Sequence, residues 1–190
     1  MFRVLFNQPG VLATTLAAGG ILAITMGARQ SMGLFVSPLN TTTGLGIATI
    51  SLALAVAQFV WGAAQPGAGA LADRYGPRPV LIGGLFIMAL GSAVTPFMSS
   101  GLGLIFAIGL LTAVGSGSSS FSVLMGAAAQ RLPLEARGTA SGVINAGGSF
   151  GQFVFAPIVQ KLIQATGWMN AMWALALMTL AALPLVGRLT

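Results

Sequence analysis

Residues 11–36 read VLATTLAAGGILAITMGARQSMGLFV and contain one charged side chain, Arg29. A helix needs about 20 predominantly apolar residues to cross the roughly 30 Å hydrocarbon core of a bilayer. This stretch satisfies that requirement, so it predicts a membrane-spanning helix. It also raises the question of why a full charge lies within the span.

Five more apolar runs of similar length follow along the chain. The six expected spans cover residues of about 11–36, 47–67, 80–98, 102–129, 138–162 and 168–186. The runs are continuous and rich in Leu, Ala and Gly, whereas a membrane barrel would show alternating strands of about ten residues. The sequence therefore predicts an all-α membrane protein, with six transmembrane helices forming one domain over residues 1–190.

The composition supports a membrane protein and excludes several other classes. Hydrophobic residues make up 56% of the chain and charged residues 5%, against about 25% charged in an ordinary soluble domain. The net charge of +6 comes from eight scattered basic residues against two acidic ones, so no basic patch is available for nucleic acid. Because the chain has no His and no Cys, we expect no metal and no other cofactor.

The basic residues predict how the bundle is oriented. If the N-terminus is cytoplasmic, only Lys161 lies near the outer side, and the basic residues at the cytoplasmic ends are Arg3, Arg74, Arg78, Arg131, Arg137 and Arg188. An excess of Lys and Arg marks the cytoplasmic side of a membrane protein. We therefore expect both termini in the cytoplasm, and the plasma membrane or a bacterial inner membrane as the location.

Two halves of the chain share a weak internal repeat. At a fixed offset of 91 residues, three positions recur, namely Pro66 at Pro157, Leu71 at Leu162 and Gly76 at Gly167. Spans 1–3 and 4–6 are then copies, and the second copy is inverted because three is an odd number of crossings. Inverted repeats of three helices are a recurring transporter architecture.

Polar side chains near mid-membrane are concentrated in spans 1, 2, 4 and 5. The candidate binding residues are Arg29, Gln30, Gln58, Ser116, Ser118, Ser119, Ser120, Asn145 and Gln152. Polar groups within a bilayer are costly and usually face a cavity or another helix. We expect these four spans to line a polar cavity, with spans 3 and 6 on the lipid side. The alternative is that Gln58, Gln152 and the serines simply join neighbouring helices.

Arg29 is the strongest indication of a ligand. Helix rise places it roughly 8 Å from the centre of its span, where an unpaired charge costs up to about 3 kcal/mol. No span contains a carboxylate that could pair with it. Because a guanidinium binds a carboxylate through two parallel hydrogen bonds, the sequence predicts an anion supplied from outside the chain. The alternative is that the side chain extends to the outer interface.

Residues 69–81, between spans 2 and 3, read GALADRYGPRPVL. Their Gly, Asp, Arg, Gly and Arg have the spacing and position of the cytoplasmic loop motif of the major facilitator superfamily, and the whole chain resembles the N-terminal six-helix half of such a transporter. The resemblance implies two inverted three-helix repeats and a pathway lined by helices 1, 2, 4 and 5. Pro77 and Pro79 depart from the motif, which often has basic residues there.

The same resemblance implies a conformational gate at the cytoplasmic ends. By position, the gate residues would be Gly69, Asp73, Arg74, Gly76 and Arg78, with Glu135 and Arg137 as partners. Acidic and basic residues at helix ends can form ion pairs that exist in one conformational state and separate in another. The alternative is that these charges only orient the protein in the membrane.

Residues 27–39, GARQSMGLFVSPL, look more loosely like the branch that carries oxalate, formate and monocarboxylates. By this resemblance Arg29 binds the substrate, and the chain belongs to a secondary transporter that moves a small organic anion, such as a mono- or dicarboxylate, by alternating access. Because Asp73 and Glu135 both lie outside the spans, the sequence favours anion exchange or facilitated transport. The alternative is that a proton binds in the second half or on the substrate.

Such transporters have twelve helices, so we expect a second six-helix half, or another copy of the chain, as a partner within the lipid bilayer. The alternative function is a membrane scaffold that transports nothing. We expect no enzymatic activity. The segment Gly115-Ser116-Gly117-Ser118 offers serines, but a serine nucleophile needs a base and the chain has no histidine.

Overall fold

The structure is a computed structural model that describes residues 9–189, and this part of the chain contains helices and no strands. Arg3, used above for the orientation, and Thr190 lie outside the described residues. Within this described part, six helices are long and apolar enough to cross a membrane, as predicted. They are α1 (Gly10–Thr43), α2 (Ile47–Tyr75), α3 (Pro77–Phe97), α4 (Gly101–Ala129), α5 (Leu134–Thr166) and α6 (Trp168–Leu189).

Two of these helices are irregular. Helix α1 is α-helical over Pro9–Gln30, tightens to a 3-10 helix over Ser31–Phe35 and then continues as Val36–Thr43. Helix α4 contains a π-helix over Ile105–Thr112, and its regular winding is interrupted at residues 119–120. Such changes of winding rotate the side chains that follow them, and they often occur at functional sites.

The helices extend beyond the apolar runs, and the motif at residues 69–81 is largely helical. Helix α2 continues to Tyr75, and α3 begins with Pro77 in its first turn. The single residue between them, Gly76, has a φ of 87°, which favours glycine over residues with a side chain. We expected this segment to be a loop; it is helical because one glycine followed by a proline suffices to turn the chain.

The contacts between helices agree with an inverted repeat. Helix α1 packs mainly on α5, α2 packs mainly on α4, and α3 packs on α6 as well as on α4. If α1, α2 and α3 exchange places with α4, α5 and α6, the α1–α5 pair becomes the α4–α2 pair. The α3–α6 pair is converted into itself. Gly167, which follows α5 as Gly76 follows α2, has almost the same φ, 86°. Two copies of one three-helix unit would produce this pattern.

Small residues allow α1 and α5 to approach closely. A Cβ atom at Gly147 would lie 2.6 Å from the carbonyl oxygen of Gly19, and one at Gly27 would lie 2.6 Å from the ring of Phe155. Such close backbone contact stabilises helix pairs in membranes, where no hydrophobic effect drives helices together.

The six helices are covered to very different extents. In α1, 61% of the apolar window is buried within the bundle, whereas the corresponding share in α2 is 11%. Helix α1 is therefore central, and most of the surface of α2 lies on the outside of the six-helix bundle.

Candidate functional site

The guanidinium of Arg29 is held at mid-helix by α2. Its Nη1 donates a hydrogen bond of 2.5 Å to Oε1 of Gln58, and its Cζ lies 4.0 Å from the centre of the Trp61 ring. Its Nε is buried and has no hydrogen-bond partner. Among residues 9–189 no acidic group forms an ion pair with it. The charge is thus oriented by an amide and an aromatic face, and its negative partner is not provided by the described chain.

A cavity of about 190 Å³ lies beside this group, and we call it the Arg29 cavity. Its lining comes from α1, α2 and α4, and the residues are Arg29, Gln30, Met32, Gly33, Leu54, Ala57, Gln58, Ile108, Thr112 and Ala113. Two of its three α4 residues lie in or at the end of the π-helix. The cavity therefore combines one cation, two glutamine amides and an apolar wall.

A second cavity, of about 230 Å³, lies one helical turn away along the same helices, and we call it the amide cavity. It is lined by Leu22, Met26, Trp61, Gln65, Phe121, Asn145, Gly148, Ser149 and Gln152. Its residues come from α1, α2, α4 and α5, and none of them is charged. As expected from the polar side chains, neither α3 nor α6 lines either cavity.

Trp61 links the two cavities, since its ring carries the Arg29 guanidinium and also lines the amide cavity. Sequence reasoning missed Trp61 and also Gln65. A signal was present, because Trp61 and Gln65 follow Gln58 by three and seven residues and so share its helix face. However, a tryptophan within an apolar span does not by itself predict a binding site.

The structure does not bring the serine run to Arg29. Ser116, Ser119 and Ser120 are buried, and the hydroxyl of Ser116 donates to the Ala113 carbonyl within its own helix. Ser118 donates to the Val114 carbonyl and borders a groove between α3 and α4. These serines line neither the Arg29 cavity nor the amide cavity.

The expected gate residues lie together at one end of the bundle, but within residues 9–189 no ion pair joins them. Asp73, Arg74, Arg78 and Glu135 are exposed. Arg137 has a different role, since its guanidinium donates to the carbonyl oxygens of Leu132 at 3.1 Å and Ala129 at 2.7 Å. It thereby caps the C-terminal end of α4, where backbone carbonyls have no partners within the helix.

Comparison with known proteins identifies one family. The sequence model of the Major Facilitator Superfamily matches residues 17–190. The oxalate:formate antiporter of Oxalobacter formigenes is 26% identical over 148 residues, which cover 77% of this chain and 34% of the antiporter. Human monocarboxylate transporter 11 is 32% identical over 172 residues, or 88% of this chain and 35% of the transporter.

A solved structure shows the same fold. The crystal structure of a D-xylose-proton symporter superimposes with a TM-score of 0.74 at 17% identity, over 93% of this chain and 48% of the symporter. The chain thus spans about a third of the length of the curated relatives it matches. All of these matched proteins are named as transporters, in agreement with the expectation that the chain is not an enzyme.

Proposed function

Because this chain belongs to the major facilitator superfamily and is an integral membrane protein, we propose that it forms the N-terminal six-helix half of a secondary transporter. The proposed substrate is a small organic anion, such as a mono- or dicarboxylate, which crosses by alternating access. The names of two relatives, an oxalate:formate antiporter and a monocarboxylate transporter, support this class of substrate.

The observation that carries the proposal is the unpaired Arg29. Within a bilayer an isolated guanidinium is expensive, and among the described residues the polar partners of this one are a neutral amide and an indole ring. A carboxylate in the Arg29 cavity would supply both the missing charge and the acceptors for the free N–H groups. Gln30 and Gln58 line the same cavity and would orient the anion.

We propose that Asp73, Arg74 and Arg78 take part in the gate, with Glu135 as a further charged partner. They are exposed and form no ion pair among the described residues, and Arg74 contacts only the Tyr75 ring there, 5.2 Å from its centre, so their charges can pair with groups of a second half in one conformational state. Gly69 and Gly76 belong to the same segment. Arg137 stabilises the end of α4 in the same region.

We also propose a second six-helix half as the partner, and a cytoplasmic location for both termini. The thin coverage of α2 leaves a large face within the membrane for that half. Without a carboxylate in the described spans, exchange or facilitated diffusion is the proposed mode of transport.

The test is the variant Arg29→Gln in the full-length protein, with binding of acetate, butyrate, oxalate and succinate measured by calorimetry. Loss of a charge-assisted interaction worth about 1.5–3 kcal/mol should weaken binding roughly 10- to 150-fold. Lys161→Gln is the matched control, since Lys161 is exposed near the end of α5 and lines neither cavity. Binding that is unaffected by Arg29→Gln, or that falls equally in the control, would refute the proposal.

A further inference from the structure

We propose that the amide cavity is a second, uncharged subsite that binds a neutral hydrogen-bonding group at the far end of the anion held by Arg29. This inference rests on the proposed function and specifies its substrate class. The substrate would be a monoanion with an amide, carbonyl or hydroxyl group several atoms from its carboxylate.

The first observation is a set of polar groups without partners. Asn145, Ser149 and Gln152 lie about one and two turns apart on α5, line the cavity and make no hydrogen bond among the described residues. The indole Nε1 of Trp61 is buried and also lacks a partner. Asn145 and Ser149 are exposed and Gln152 is partly buried, so the indole N–H is the buried group without a partner in the described lining of this cavity. Buried polar groups nearly always have partners, so this N–H, beside three polar side chains of α5, indicates a polar ligand.

The unpaired state also argues against a role of these amides in joining the six described helices to one another. Side chains that join helices would bond to one another or to a backbone carbonyl, as Asn170 does with Thr166. Within residues 9–189, the only such contact of a side chain that lines the amide cavity is a long one of 3.5 Å, from Ser122 to Gln65. The volume of about 230 Å³ exceeds the roughly 30 Å³ that one water molecule occupies in the liquid.

The spacing of the lining residues along α2 indicates the length of the ligand. Gln58 borders the Arg29 cavity, and Trp61 borders the amide cavity three residues later. Three residues of helix rise by about 4.5 Å. A carboxylic acid with a backbone of four carbon atoms spans a comparable distance, so its carboxylate can contact Arg29 while its other end enters the amide cavity.

The residues that line the amide cavity determine which chemical group can occupy it at the end of the ligand opposite the carboxylate. None of its residues carries a charge, so a second carboxylate would be desolvated there without a cation to pair with it. A purely aliphatic end would leave the amides and the indole N–H unpaired, and sites built to bond polar groups reject analogues that lack them. An uncharged polar end satisfies both conditions.

Three acids of matched length and end shape test the inference. Succinamate ends in an amide, succinate in a carboxylate and 4-methylpentanoate in two methyl groups. Binding to the full-length protein is measured by calorimetry at neutral pH. One or two neutral hydrogen bonds, at about 0.5–1.5 kcal/mol each, should make succinamate bind roughly 5- to 50-fold more tightly than either of the other acids.

Variants then assign the preference to the cavity. Asn145→Leu combined with Gln152→Met retains side-chain size and removes the polar groups, so the advantage of succinamate over 4-methylpentanoate should fall to within about twofold. Gln160→Met is the matched control, because Gln160 lies on α5 and lines neither cavity. Ser149→Ala, a smaller change in the same cavity, provides a second test if the double variant does not fold.

Each result has a definite meaning. Equal binding of succinamate and 4-methylpentanoate overturns the subsite while leaving the anion site intact, provided that both depend on Arg29. Tighter binding of succinate, or a preference that survives the cavity variants, also overturns it. If none of the three acids shows binding that depends on Arg29, the proposed function itself fails, and the subsite fails with it.

Discussion

At the scale of single residues, the central feature is a cation held by groups that cannot neutralise it. Gln58 fixes one N–H of Arg29, and the Trp61 ring lies under the guanidinium. Neither partner removes the positive charge, so the side chain is oriented without losing its attraction for an anion. A glutamate at either position would bind the guanidinium more strongly and would compete with substrate.

Trp61 is therefore expected to act as a positioning residue. Trp61→Leu removes a cation–π contact worth about 0.5–2 kcal/mol and should weaken binding of butyrate roughly 2- to 30-fold, mainly as a higher KM in transport. Trp61→Phe retains an aromatic face and should recover most of the affinity. A Trp61→Leu protein with unchanged KM and a lower maximal rate would contradict the positioning role.

At the scale of helices, α1 is central because glycines on α5 allow the two backbones to meet. A Cβ atom at Gly151 would collide with the backbone carbonyl of Ala23. The contact brings Met26 on α1 beside the polar face of α5, and both border the amide cavity. Close packing of this pair is thus a condition for the site as well as for the fold.

Gly151→Ala should accordingly destabilise the protein by about 1–3 kcal/mol through overpacking, seen as a lower thermal unfolding temperature in detergent. The matched change Gly142→Ala lies on the same helix with nothing within 4 Å of the new Cβ. It should be neutral, or stabilising by up to about 1 kcal/mol. Equal unfolding temperatures for the two variants would show that the close contact is unimportant.

The C-terminal end of α4 depends on a side chain from the next helix. Arg137→Met removes two hydrogen bonds to the carbonyl oxygens of Ala129 and Leu132 and should cost about 1–3 kcal/mol of stability. In the control Arg131→Met, an exposed arginine with no side-chain hydrogen bond in the described structure is replaced by the same residue. Thermal unfolding that is lowered only for Arg137→Met is the expected result.

At the scale of the whole molecule, the bundle presents large apolar side chains on α2 and α5. Phe59, Phe150 and Phe153 are 77%, 65% and 78% exposed. Within a bilayer such residues can contact lipid or a second half of a transporter. The Arg29 cavity is lined by α1, α2 and α4, and the amide cavity by these three helices and α5, which suits a pathway completed by another six-helix unit.

The proposed orientation can be tested directly because the chain has no cysteine. Thr166→Cys lies at the end of α5 near Lys161, and Gln130→Cys lies between α4 and α5 beside Arg131; both positions are exposed. If the N-terminus is cytoplasmic, a membrane-impermeant maleimide added to intact cells should label only the first. Labelling of Gln130→Cys alone would reverse the orientation, and the positive-inside assignment would be wrong.

The sequence by itself was sufficient to predict six membrane helices and the family, because the length of an apolar run and the spacing of Asp73, Arg74 and Arg78 are local properties. It also singled out Arg29, since a charge within a span is conspicuous wherever it points. Which polar side chains share a cavity was decided only in three dimensions.

The serine run on α4 faces inward or towards α3, whereas Trp61 and Gln65, overlooked in the sequence, line the amide cavity. The physical reason is that the direction of a side chain around a helix depends on winding and on the neighbouring helix. The winding changes at a 3-10 segment in α1 and at a π-helix in α4. The position of the neighbouring helix is set by close glycine contacts between α1 and α5. A count of polar residues along a span contains no such information.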